Sequence, residues 1–203
     1  MNRKAHWENV YHTRSPLDVS WYQREPALSL ALIEASGVAS DGGIIDVGGG
    51  ASVLVDRLLE SGYSGLAVLD ISGAALAHAR TRLGARAAEV EWVEADVTTF
   101  RSERRFGLWH DRAVFHFLTD ACDRAAYVQT LEAALAPAGH VIIATFAPGG
   151  PTMCSGLDIV QYDADKLCGE LGAGFELVEQ RSELHHTPAD KDQAFNFFLL
   201  RRV

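Results

Sequence analysis

The chain has 203 residues, nearly half of them hydrophobic, which is enough for one domain built around a sizeable core. Its formal net charge of −9 has the wrong sign for a nucleic-acid backbone, and no apolar run reaches the about 18 residues that a membrane-spanning helix requires. The cysteines, Cys122, Cys154 and Cys168, are few, odd in number and lack C-x-x-C spacing, which points to a reducing, cytoplasmic setting. The first residues carry positive charge without a following apolar stretch, unlike a secretory signal.

The elements alternate along most of the chain. Residues 1–40 read as a helical cap, with Pro26 opening a helix over 27–35 and Gly37 closing it. A first strand at 44–47 leads to a helix at 53–60. A second strand, 66–69, stops at Asp70, and Ser72 caps an alanine-rich helix over 73–83. Residues 90–94 alternate with period two and form a third strand, ending near Asp96. A fourth strand at 106–110 precedes an amphipathic helix over 120–136. Pro137, Ala138 and Gly139 then break the chain before a fifth strand at 140–146.

Repeated β-α units predict a mostly parallel sheet covered on both faces. The last quarter departs from that pattern. Strands at 175–183 and 194–201 have no helix between them and should form an antiparallel hairpin. The expectation is a Rossmann-like α/β fold: a seven-stranded, mostly parallel sheet with a terminal antiparallel hairpin and an N-terminal helical cap. Residues 1–203 are read as one domain, 1–40 as its lid and 41–203 as its core.

The most specific motif follows the first strand: Asp46-Val47-Gly48-Gly49-Gly50-Ala51-Ser52. Glycines after a buried parallel strand let the backbone approach a nucleotide-like ligand, and the next helix offers its amides. A dinucleotide site would carry G-x-G-x-x-G, but Val53 stands at the third glycine. The segment instead resembles the D-x-G-x-G turn of class I S-adenosylmethionine-dependent methyltransferases, and the resemblance extends over residues 44–203 through the strand pattern. Ser52 replaces the third glycine of the fuller family motif and is read as a helix cap.

That resemblance implies S-adenosylmethionine as cofactor. Asp46, Gly48 and Gly50 would approach its methionine part, and Asp70 would accept from both ribose hydroxyls. Asp96 would accept from the adenine amino group, completed by the Val97 backbone, with Ile71 as an apolar wall. After the fourth strand, Asp111 is the candidate for orienting an amine or the cofactor's ammonium group. His116, in an apolar stretch, is the candidate general base.

Three further regions are expected to reach the acceptor. These are the aromatic opening segment with Trp21, the long loop at 148–157 with Cys154, and His185 and His186 at the tip of the terminal hairpin. None of the rim histidines has standard metal-ligand spacing, so no metal is expected. A small-molecule acceptor is favoured, with no nucleic-acid or membrane partner. A protein lysine acceptor stays open, because Trp7-x-x-x-Tyr11 resembles some protein lysine methyltransferases of this fold. A member that binds cofactor or partner without turnover also stays open.

Overall fold

A computed structural model describes residues 2–203. Helix α1, Arg3–Thr13, is capped by the Asn2 side chain, which accepts from the Ala5 amide; α2, Ala27–Ser36, closes on Gly37 at φ 67°. Three strand-to-helix steps follow: β1, Ile44–Val47, to α3, Leu54–Glu60; β2, Leu66–Asp70, to α4, Gly73–Leu83; and, after β3, Val90–Glu94, which leads to no α-helix, β4, Phe106–Arg112, to α5, Ala121–Ala134. Then come β5, Leu135–Phe146, the two-residue strands β6, Met153–Cys154, and β7, Leu157–Asp158, and α6, Ala164–Leu171. The long pair β8, Phe175–His186, and β9, Asp192–Arg202, completes the chain.

Seven strands form one sheet in the order β3-β2-β1-β4-β5-β9-β8. The first five run parallel, and β9 inserts antiparallel between β5 and β8. Adjacent residues of the central strands point to opposite faces and feed two cores. Ile45, Leu69 and Trp109 pack with Tyr127 and Leu131 of α5 on one face, while Ile44, Val68 and Leu108 pack with Leu32 of α2 and Leu58 of α3 on the other. The strand order reverses beside β1, so the carboxyl ends of β1 and β4 open the crevice where such sheets bind ligands.

The expected fold holds, with local differences. Pro137, Ala138 and Gly139 do not end the helix-to-strand connection but fall inside β5, where the register against β4 slips between Phe106 and Leu108 and Ala138 takes φ 56°. Strand β4 runs on to include Asp111 and Arg112. The loop at 148–157 contains the small β6–β7 hairpin, turning at Ser155 and Gly156, both at positive φ. Helix α6 was not expected; Asp163 caps it by accepting from the Lys166 amide. Among the described residues, no helix is long and apolar enough to cross a membrane.

Candidate active site

The glycine turn sits on a buried polar seam. His110 Nδ1 donates to Asp46 Oδ1 at 2.7 Å, and its Nε2 meets Ser29 Oγ at 2.9 Å, so α2, β1 and β4 are joined beneath the turn. Asp46 Oδ2 is buried with no hydrogen-bond partner among the described residues. Two glycines are required above this seam. Gly48, at φ 68°, lies so close to Val114 that a Cβ would collide with it, and a Cβ on Gly50, at φ 29°, would fall 2.5 Å from Asp70 Oδ2. Ser52 Oγ accepts from the Leu54 amide at 3.1 Å, so it serves the first turn of α3 from one residue outside the Val53 cap position.

A cavity opens at the carboxyl ends of β1, β2 and β4. Gly48, Asp70, Ile71, Asp96 and Val97 line one side of it, and Trp7, Tyr11, Trp21 and Phe117 the other. Asp70 Oδ1 accepts from the Ser72 amide at 2.8 Å, and burial, reinforced by Asp46 and Glu8, raises its carboxyl to about 7 despite that hydrogen bond. Asp96 holds its own turn by accepting from the Thr98 amide and hydroxyl at 2.9 and 2.7 Å. The aromatic wall is self-supporting: Trp7 meets Trp21 and Phe117 edge-on at 5.6 and 5.1 Å, and Trp21 Nε1 donates to Tyr11 Oη. Helix α1 is strapped down by Glu8, whose carboxylate accepts from the Gly73 and Ala74 amides at the start of α4. Arg3 and Lys4 add ion pairs to Asp96, Asp123 and Glu94.

The two residues singled out for chemistry after β4 lie behind the cavity wall. Asp111 is fully buried. Its oxygens accept from the Tyr127 hydroxyl at 2.7 Å and from the Val114 and Phe115 amides, and Trp109 Nε1 donates to the same hydroxyl. Burial raises the Asp111 carboxyl to about 6, against the opposing pull of those donors. This network folds the strand exit so that Arg112, Ala113, Val114 and Phe117 face the cavity instead. His116 is also fully buried, stacked among Phe117, Phe146 and Phe195, and burial lowers it to about 3. His116 is thus held neutral and is not among the residues that line the cavity, a placement that does not favour the general-base role expected for it.

The acceptor-side candidates divide. Trp21 and Cys154 line the main cavity, and burial raises the Cys154 thiol to about 11. His185 donates through Nε2 to the Ser20 carbonyl at 2.8 Å, and exposed His186 pairs with Asp190 and Asp192; both are the last residues of β8 and lie outside the main cavity. The sequence reading missed Arg112. Its guanidinium lies over the Phe195 ring at 4.7 Å and donates from Nη1 to the Trp21 carbonyl. Arg112 also lines a second cavity, shared with Asp46, His110, Ser29 and Gly49. The signal for it was an arginine that follows His110 and Asp111 at the end of the strand.

This arrangement, a seven-stranded sheet with β9 inserted antiparallel and a glycine turn facing two strand-end carboxylates, defines the class I methyltransferase architecture. Residues 44–139 match a family model described as a methyltransferase domain, so this segment carries a methyltransferase domain. No curated protein sequence matches it. Solved structures share its fold at low identity. A methyltransferase from Anabaena variabilis is 16% identical, with TM-score 0.79 over 100% of this chain and 96% of that one. The N-methyltransferase NodS of Bradyrhizobium japonicum, in complex with S-adenosylhomocysteine, is 18% identical, with TM-score 0.72 over 96% and 97%. The 1,6-didemethyltoxoflavin N1-methyltransferase of Burkholderia thailandensis, with toxoflavin precursor and S-adenosylhomocysteine bound, is 19% identical, with TM-score 0.72 over 98% and 87%.

Proposed function

We propose that the protein transfers a methyl group to a small-molecule nucleophile enclosed between its α/β core and its N-terminal helix. The observation that carries this reading is the shape of the main cavity: cofactor-type residues from β1, β2 and β3 on one wall, and aromatic residues from the opening segment on the other. Two features fit S-adenosylmethionine. The cradle beside Asp70 exists because Gly50 has no Cβ, and Asp46 Oδ2 is a buried acceptor without a donor, suited to an ammonium group. In this reading Asp70 holds the ribose, Asp96 and Val97 meet the adenine edge, and Ile71 covers its face. Bound there, S-adenosylmethionine supplies a sulfonium methyl group to an attacking electron pair.

The chain's residues position and enclose; none in contact with the cavity is needed as a neutral-pH base. Trp7, Tyr11 and Trp21 exclude water and offer π-faces to positive charge. An acceptor that arrives unprotonated needs only alignment, and effective molarity supplies much of the rate. Because Trp7 and Tyr11 are part of the enclosing wall, an acceptor of small size suits the site better than a protein side chain. The toxoflavin and NodS enzymes with the same fold are consistent with that choice. The test is calorimetry with S-adenosylhomocysteine and with NAD. Binding of the first alone supports the reading; binding of neither, or of NAD, overturns it. A screen with labelled methyl groups, small molecules against protein fractions, then separates the acceptor classes.

A further inference from the structure

We infer that Arg112 is the anchor for a carboxylate on the methyl acceptor, so that the acceptor class is an anionic small molecule. The inference rests on the methyltransferase reading of the same site. Arg112 ends β4, and its side chain is 11% exposed. One nitrogen, Nη1, is used by the Trp21 carbonyl at 2.9 Å, while Nε and Nη2 are buried with no hydrogen-bond partner among the described residues. Those two nitrogens share one edge of the guanidinium, the edge that matches the two oxygens of a carboxylate in a parallel pair of hydrogen bonds.

Among the described residues, no carboxylate fills that role. The nearest, Glu183, stands 3.9 Å from Nη2, and its Oε2 already accepts from Gln23 at 3.0 Å. Burial pulls the guanidinium down to about 10, the mark of a cation only partly compensated by its surroundings. An oxyanion delivered by a ligand would relieve both the charge and the two unpaired donors.

The position separates this anion from the cofactor's adenosine. The residues assigned to adenosine stand at or just beyond the ends of β2 and β3, on one side of the sheet, whereas the Arg112 guanidinium lies over Phe195 of β9 and beside Glu183 of β8, on the other. Its cavity neighbours are Trp21 and Cys154, from the lid and the β6–β7 hairpin. The cofactor's own carboxylate is the competing occupant, since Arg112 shares the second cavity with Asp46; the tie of Arg112 to Trp21 of the lid favours the acceptor's carboxylate, held so that its nucleophilic atom turns back toward the glycine turn.

The test uses full-length protein and three matched probe pairs: benzoate, 4-hydroxybenzoate and hippurate against their neutral amides. Binding is followed by calorimetry with and without S-adenosylhomocysteine. At least one carboxylate should bind wild type at least tenfold more tightly than its amide. Arg112→Met and Arg112→Lys should both lose that preference, since lysine keeps charge but lacks the fork, and both should bind S-adenosylhomocysteine within threefold of wild type. Carboxylates and amides binding alike in wild type, or a preference surviving in both variants, would overturn the inference. A matching loss of S-adenosylhomocysteine but not of 5′-methylthioadenosine would also overturn it, by giving the guanidinium to the cofactor's own carboxylate. Failure of wild type to bind S-adenosylhomocysteine would instead strike the methyltransferase reading, and the carboxylate titration without it would still decide the role of Arg112.

Discussion

Asp46 and His110, joined at 2.7 Å between β1 and β4, leave one carboxylate oxygen of Asp46 buried without a donor directly under the glycine turn. An unpaired buried acceptor costs about 1–3 kcal/mol, so it is retained where a ligand supplies the missing donor. In the proposed complex that donor is the ammonium group of the cofactor's methionine part. Asp46→Asn keeps the shape and removes the charge. Affinity for S-adenosylhomocysteine should fall about tenfold, or about 1.4 kcal/mol, while 5′-methylthioadenosine, which lacks the amino-acid part, should bind both proteins alike. Equal losses for the two ligands in calorimetry would remove Asp46 from this role.

Asp70 makes cofactor binding depend on pH. Its carboxyl, raised by burial to about 7 from 3.8, is partly protonated near neutrality in the free protein. Two ribose hydroxyls donate best to the ionised form, so binding should expel a proton. Near pH 6.5, S-adenosylhomocysteine binding should release up to one proton, read from calorimetry in buffers of different ionisation enthalpy. Affinity should rise with pH through about 7 and level off above it. Asp70→Asn should abolish the proton release and weaken binding by about 1–3 kcal/mol. The stability sign is opposite. The native state holds a proton that the unfolded chain loses between pH 4 and 7, so stability falls as pH rises through that window. Denaturation of wild type and Asp70→Asn across that range should show the difference; parallel curves would refute the raised carboxyl.

Much of the fold was legible because the first three parallel strands announce their ends. Asp46, Asp70 and Asp96 stand at or just beyond apolar runs, each followed by turn or capping residues. Two elements were legible in principle and passed over. Asp163 before Ala164, Leu167, Cys168 and Leu171 is a capped helix with apolar residues at helical spacing, and Ser155-Gly156 is a two-residue turn whose flanking strands are too short to signal themselves. The site was less legible. Local sequence does not tell that the Arg112 side chain reaches Phe195 and Glu183 on the last two strands, or that Glu8 reaches the amides of Gly73 and Ala74. His116 looked chemical because histidine titrates near neutrality, yet Phe146 and Phe195, which bury it, come from distant strands.

His116 should therefore behave as core. Its ring is enclosed by three phenylalanines, and burial at about 3 keeps it neutral throughout the working pH range. His116→Ala should lower unfolding free energy by about 2–4 kcal/mol through the cavity it leaves. The acidic limb of the pH–rate profile for labelled methyl transfer should keep its midpoint in the surviving enzyme. Disappearance of a limb near pH 6–7 in the variant would restore the histidine as a base.

Tyr127 and Asp111 form the anchor that presents Arg112 and Val114 to the cavity. Tyr127→Phe removes the hydroxyl that donates to Asp111 at 2.7 Å and accepts from Trp109, leaving a buried carboxyl short of one donor and the Trp109 N–H without its acceptor. Chemical denaturation should show a loss of about 1–3 kcal/mol. Cofactor affinity should change less than threefold, because the Val114 and Phe115 amides still hold Asp111. A large loss of cofactor affinity with stability unchanged would mean that the carboxyl meets ligand directly.

One carboxylate, Glu8, makes the main polar tie that holds helix α1 over the cavity. Glu8 accepts from the Gly73 amide at 2.7 Å and the Ala74 amide at 3.3 Å, at the positive end of α4 and three residues beyond Asp70. Buried Val10 and Tyr11 and the edge-on contact of Trp7 with Phe117 also dock α1, whereas the partly exposed Arg3 and Lys4 ion pairs contribute little. Two charge-assisted hydrogen bonds to a helix N-terminus are each worth about 1.5–3 kcal/mol, so Glu8→Ala should free the helix to open without unfolding the sheet. Stopped-flow displacement of S-adenosylhomocysteine should give a dissociation rate at least tenfold faster than wild type, with the association rate unchanged or raised. Amide exchange should quicken across α1 and leave β1 protected. An unchanged dissociation rate with α1 exchanging freely would mean that the helix does not gate the cavity.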